Sequence, residues 1–394
     1  MTDVLLLALL LAAVAIGWWL GRRERRTTAP ASQPPTLARD YFVGLNYLLN
    51  DQQDRAIETF IGALEVNSDT IETHIALGNL FRTRGEADRA VKVHQNLLAR
   101  PTLSGEQGDR VQLELSRDFL QLGLLDRAER LLFSLIKDSQ NSEHRHAARK
   151  LLVDLLEREG EYQQALDVAQ PALVKESDDV RRAAAHWLCE IADQERQSAS
   201  PVLARRHLKQ ALATDRRCVR ANLMLADMAL ETGQYRQAIR LLQRIPDQDK
   251  NFIPTLLEPL GRAYRLLDDE EGLIRHLESL LEIAPYTSVI IMLAEALRRH
   301  QGDTEAAQAL LTRELERSPS LGAVDYLIRL YHQQEGSTGN PRIELLQRHT
   351  HTLLKARPRH RCQRCGFSGE PLLWQCPRCR SWGTTKPITG IEGE

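Results

Sequence analysis

The chain has 394 residues, 52 Lys and Arg against 53 Asp and Glu, and a formal net charge of −1. That length allows two or three compact domains or one long repeat array. The charge balance excludes a protein-wide field aimed at nucleic acid or an acidic substrate, so electrostatic recognition must be local. Aromatic residues make up 5% of the chain. Leu, Ala, Arg, Glu and Gln dominate, a mix that loses little side-chain freedom in helices.

Val4 to Leu20 is a 17-residue uncharged run, VLLLALLLAAVAIGWWL. With its flanks it approaches the length that spans a bilayer, and residues 1–21 are expected to be a transmembrane anchor. Trp18 and Trp19 suit the headgroup level, and Arg22, Arg23, Arg25 and Arg26 mark the cytoplasmic side. The N-terminus is then periplasmic and the rest of the chain cytoplasmic. A cleaved signal peptide fits poorly, because Met-Thr-Asp carries no positive charge and no A-x-A site follows. Residues 22–36 are basic, then Pro-rich and polar, and read as a linker.

From about residue 37 to residue 356 the chain repeats with a period near 34: Gly44 and Gly78 are 34 apart, as are Ala56 and Ala90. A small residue, an aromatic three later, a polar turn and an Ala twelve after the small residue resemble the tetratricopeptide repeat, a pair of antiparallel helices. Later units centre on Ala128, Ala165, Ala204, Ala238, Leu273 (with Gly261 and Tyr264) and Ala306 or Ala307. A weaker last pair spans about Leu321 to Lys355 and contains the loop EGSTGNP, giving eight or nine units. Thr102 to Gly108 and Arg196 to Pro201 read as longer connections. The expected fold class is all-α, a superhelical solenoid that offers an extended binding surface or acts as a scaffold. Asn79, Arg82, Arg262 and Arg265 are candidate contacts to partner carboxylates, or simply solvated surface. Cys189 reads as a small apolar core residue. His349 and His351, two apart on a helix, face different ways and are not read as ligands.

Four of the six cysteines fall in the last 33 residues, as Cys362-x₂-Cys365-x₁₀-Cys376-x₂-Cys379. Two C-x-x-C loops offer four thiolates to one cation in a tetrahedral shell. The ten-residue connection suits a short β-hairpin. Gly366 after Cys365 and Pro377 after Cys376 are typical of rubredoxin-like and zinc-ribbon knuckles, and Trp374 and Trp382 are placed to cover the site. A redox dithiol would need a thioredoxin-like context, which is missing. With every ligand supplied by protein the metal is structural, and iron and zinc both suit four sulfurs. Residues 357–386 have too little core to fold without it, and 387–394 form a tail. Lys355, Arg357, Arg359, Arg361, Arg364, Arg378, Arg380 and Lys386 face only Glu370 here. They could bind nucleic acid, offset the anionic metal centre, or dock on an acidic face of the array; the few interleaved aromatics make nucleic acid the weakest choice.

The order of anchor, Arg-rich boundary, repeat array and four-cysteine knuckle, with GRR at 21–23, RDY at 39–41, LGNLFR at 77–82 and the tail RCQ.CGF…W.CP.CR.W, resembles the LapB (lipopolysaccharide assembly protein B) family over essentially the whole chain. The resemblance implies a non-enzymatic inner-membrane adaptor. It would bring the lipid A enzyme LpxC to the protease FtsH, opposed by a YejM-like membrane regulator. It also implies that the four cysteines hold the family's rubredoxin-type metal and that this domain packs on the repeats. Consistent with this, no phosphate-binding Gly loop, nucleophile elbow or H-E-x-x-H occurs. A lipopolysaccharide scaffold without a role in proteolysis, or a tethered nucleic-acid binder, are the alternatives. Self-association is left open.

Overall fold

The structure, a computed structural model, describes residues 71–394 apart from 102, 303, 336–340, 356, 391–392 and 394, together with residues 14–16, 18–19, 42–44, 46–47, 55 and 59. The anchor as a whole, the linker, most of the first repeat unit and most of the EGSTGNP loop lie outside the described residues. Among the described residues, no helix is long and apolar enough to cross a membrane.

Among the described residues, helices follow one another in pairs from Ile71 to Lys355. Within residues 1–145, helices Ile71–Thr83 and Ala87–Leu98 form one pair and Gly105–Gln121 and Leu125–Asp138 the next. Within residues 146–394, pairing continues through Asp178–Gln197 with Pro201–Thr214 and Val219–Glu231 with Tyr235–Leu242, and ends with Leu321–Glu335 against Pro341–Lys355. The helix Ser142–Glu159, followed by Tyr162–Ala169, bridges the two units in sequence. The repeat array is thus confirmed as a tetratricopeptide solenoid.

The small-residue spacing has a direct packing cause. Ala90, Ala128, Ala165, Ala204, Ala238 and Ala307 are fully buried where the two helices of a pair meet, and Leu273 fills the same position. Of the two candidates in the next-to-last pair, Ala307 is the buried one. A Cβ on Gly78 would run into the ring of His94 on the second helix of its pair, so glycine there admits a histidine into the core.

Two connections differ from expectation. Ser104 caps the helix that begins at Gly105, exchanging hydrogen bonds with Gln107 in a capping box, so Gly105 to Gly108 are a first helical turn rather than loop. The helix Asp178–Gln197 has 20 residues and Pro201 opens the next, which leaves only residues 198–200 as connection. Short helices Ala172–Glu176 and Ile245–Gln248, and a 3₁₀ turn Lys250–Phe252, complete the array.

Arg82 does not await a partner. Its guanidinium donates to Glu114 (2.6 Å), Asp118 (2.8 Å) and Asn79 (2.6 Å), and the buried Asp118 also holds His94 Nδ1 at 2.5 Å. This network ties one repeat to the next. Arg262 and Arg265 are exposed.

Candidate metal centre

After the last helix the chain forms a three-stranded antiparallel sheet in the order β2-β1-β3, with β1 His360–Cys362, β2 Ser368–Gly369 and β3 Thr385–Pro387. The expected hairpin is therefore placed differently: β1 and β2 wrap the first knuckle, and the chain beyond Gly369 carries the second. The knuckles repeat one backbone design. Gly366 N–H donates to Cys362 O and Cys362 N–H to Phe367 O; Arg380 N–H donates to Cys376 O and Cys376 N–H to Ser381 O. Residues 366 and 380, each just after the second cysteine, both take the left-handed conformation, with φ of 76° and 58°. Glycine accepts that freely, whereas Arg380 is held there by its side-chain partners.

The design aims amide N–H groups at sulfur. In the first knuckle the amides of Arg364 and Cys365 lower the Cys362 thiol, and in the second those of Arg378 and Cys379 act on Cys376 in the same direction. Cys362 Sγ lies 3.7 Å from Cys379 Sγ and Cys365 Sγ 3.5 Å from Cys376 Sγ. All four sulfurs lie within 4.8 Å of one another. A tetrahedron with metal–sulfur bonds of about 2.3 Å has edges of about 3.8 Å, so four thiolates at these separations fit one cation. Burial raises the Cys362 thiol, but the Thr384 hydroxyl and the two amides outweigh it and bring it down to about 6. Burial pushes Cys376 up to about 11. A bound cation would supply the positive charge that lets all four sulfurs ionise together. Among the described residues no other group of this kind occurs, and His349 and His351 stand apart from it.

The two tryptophans are pegs by which the metal domain docks on the array, against helices Ser142–Glu159 and Asp178–Gln197 and the turn Lys250–Phe252. Trp382 stacks on His186 with centroids 5.3 Å apart, and Trp374 stacks on Phe252 at 5.5 Å. Gly383, at φ 63°, lets the loop close: a Cβ there would sit 3.0 Å from His186 Nε2 and 3.3 Å from Arg182 Cδ. Glu157 is the hub. Its Oε2 accepts from Trp187 Nε1 and Trp382 Nε1, both at 2.9 Å. Its Oε1 accepts from Gln375 Nε2 at 2.8 Å and Arg380 Nη2 at 3.3 Å. Lys386 pairs with Asp249 at 2.5 Å, and Arg364 approaches Asp179 at 3.4 Å. Of the three roles open to the basic segment, docking on acidic residues of the array accounts for Arg364, Arg380 and Lys386. Burial, then the charges of Arg220 and Arg182, push His186 down to about 3, so it stacks as a neutral ring.

Residues 360–387 match a family model described as a rubredoxin metal binding domain, and residues 73–106 and 196–255 match tetratricopeptide repeats. Over 391 residues, 99% of both chains, the sequence is 35% identical to lipopolysaccharide assembly protein B of Escherichia coli strain K12. The chain belongs to the LapB family. The LapB protein of Haemophilus influenzae is 32% identical over 98% of this chain and 99% of its own. A tetratricopeptide-repeat protein of Cytophaga hutchinsonii with a solved structure aligns with 64% of this chain and 99% of its own, at 17% identity and a TM-score of 0.38. The LapB metal knuckle is thus found here with its four cysteines gathered and its domain docked. The residues that dock it, Glu157, His186, Phe252 and Asp249, were not singled out from sequence.

Proposed function

We propose that this LapB-family chain is a non-enzymatic adaptor of lipopolysaccharide assembly at the bacterial inner membrane. In this reading residues 1–21 anchor it, the array of residues 37–356 binds partner proteins, and residues 357–386 form the metal domain. Cys362, Cys365, Cys376 and Cys379 hold one iron or zinc ion that staples the domain and takes no part in chemistry. The partner reading is the one that the family resemblance suggested: the array presents LpxC to FtsH for degradation, and a YejM-like regulator opposes it. Anchoring aids this by raising the effective concentration of the array where a membrane protease sits.

The observation that carries the reading is the docked, closed metal domain. Its four sulfurs leave no open coordination position, and Trp374, Trp382, Arg364, Arg380 and Lys386 are spent on the array. That arrangement suits a rigid binding platform better than an active centre. The test is the half-life of LpxC in cells depleted of this protein. A longer half-life is expected, and Cys362→Ser/Cys365→Ser should reproduce it. An unchanged half-life would leave the scaffold alternative.

A further inference from the structure

Beside the docked metal domain lies a cleft of about 680 Å³ that none of the docking contacts fills. One wall is built from the first helices of the last three pairs, through Thr255, Ile291 and Asp325. The other runs from the end of the last helix into β1, through Lys355, Arg357 and Arg359, with Leu372 also lining the cleft. Among the described residues, the charges of this cleft do not cancel. Asp325 is already taken, accepting from Thr350 Oγ1 at 3.0 Å and pairing with Arg329 at 3.3 Å. Lys355, Arg357 and Arg359 have no ion pair among the described residues. Arg357 goes further. Its Nη1 is shielded from solvent and has no hydrogen-bond partner among the described residues. A guanidinium N–H removed from water without an acceptor is costly, and an incoming anionic oxygen would relieve it.

The arrangement narrows the class of ligand. Lys355 ends the last helix, and Arg357 and Arg359, two apart, continue the same wall toward β1, while the opposite wall includes the apolar Ile291. A single small anion would use one cation and none of the apolar surface. An extended peptide presents its side chains on alternate faces, so carboxylates at every second residue can meet the cations while apolar side chains lie against the other wall.

We infer that the cleft between the last three helical pairs and the lead-in to the metal domain binds an extended segment of a partner protein with alternating acidic and apolar side chains. This rests on the adaptor function proposed above and names the chemistry of its docking segment. It also makes the metal domain part of the binding surface, because Arg359, His360 and Leu372 line the cleft.

The test is direct binding to the full chain in detergent. The probe is a fluorescein-labelled, end-blocked eight-residue peptide alternating Glu and Leu, followed by fluorescence anisotropy. Saturable binding is expected, weakened roughly tenfold by Arg357→Gln and by Arg359→Gln. Arg359 is exposed, so its variant probes charge without disturbing packing. Arg240→Gln, an exposed cation on the helix Tyr235–Leu242, should bind as the unmodified chain does. The inference is overturned if the peptide does not bind, or if both cleft variants bind it unchanged. It is equally overturned if a Gln-for-Glu peptide binds as tightly, or if millimolar inorganic phosphate displaces the probe, which would mark a simple anion site. Peptide binding that survives beside an unchanged LpxC half-life would refute the proteolytic role and leave the cleft standing.

Discussion

Replacing Glu157 with Ala tests the docking of the metal domain at its hub. The change removes the acceptor of four donors, Trp187 Nε1, Trp382 Nε1, Gln375 Nε2 and Arg380 Nη2. Trp187 and Trp382 are 1% and 5% exposed, so water cannot replace the lost carboxylate for either indole. Gln375 and Arg380 are only partly buried and recover hydration. The Trp382 bond is made only when the domain is docked, and an orphaned buried donor costs about 1–3 kcal/mol. Taking about 2 kcal/mol, the undocked population rises about thirtyfold. The assay is solvent exchange of the Trp382 indole proton, followed by NMR in protein labelled with ¹⁵N-tryptophan. Protection should fall about thirtyfold on that scale, with metal content unchanged. Glu157→Gln keeps the shape but turns one acceptor into a donor, and should fall between. If Trp382 keeps its full protection in Glu157→Ala, the carboxylate is not what holds the domain down.

Three further outcomes follow from the geometry. His186 is held neutral well below its ordinary range, at about 3. Its stabilisation is therefore complete above the unfolded value near 6.5 and is lost as pH falls toward 3; moving from pH 7 to pH 5 should cost about 2 kcal/mol. Denaturant midpoints at the two pH values measure this, and His186→Phe should flatten the dependence; an equally steep loss in that variant would exonerate the histidine. Gly78→Ala places a Cβ against the buried His94 ring and should destabilise its repeat by about 1–3 kcal/mol, read as a lower melting temperature; an unchanged melting curve would show that the ring moves aside freely. Elemental analysis should find one iron or zinc per chain, and Cys376→Ser should fall well below one and release Trp382, whereas full metal content in that variant would remove Cys376 from the ligand set.

The array and the knuckle were legible because their constraints are local. Helix-pair packing demands a small residue at a fixed spacing, and Ala90 through Ala307 display it. Two C-x-x-C loops announce a four-sulfur shell within 18 residues. Docking was not legible, because Glu157 and His186 are ordinary polar residues of amphipathic helices until the chain brings Trp382 back to them. A signal existed: a basic module with two tryptophans and almost no acid of its own needs both charge and apolar surface from elsewhere. Arg82 was misjudged for a related reason. Its partners Glu114 and Asp118 lie 32 and 36 residues ahead, about one repeat on, so an arginine placed for a partner protein by its own helix is claimed by the next helix of the same stack.

The Trp382–Glu157 bond spans 225 residues of chain and Lys386–Asp249 spans 137. A repeat stack held only by neighbour contacts can unravel one pair at a time from a free end. Here the last three pairs lie inside a loop whose far end is knotted back to the middle of the stack. Fraying from that end must first break the buckle, so these pairs should unfold as a single cooperative block and should refold slowly, since the loop closes only after a long search.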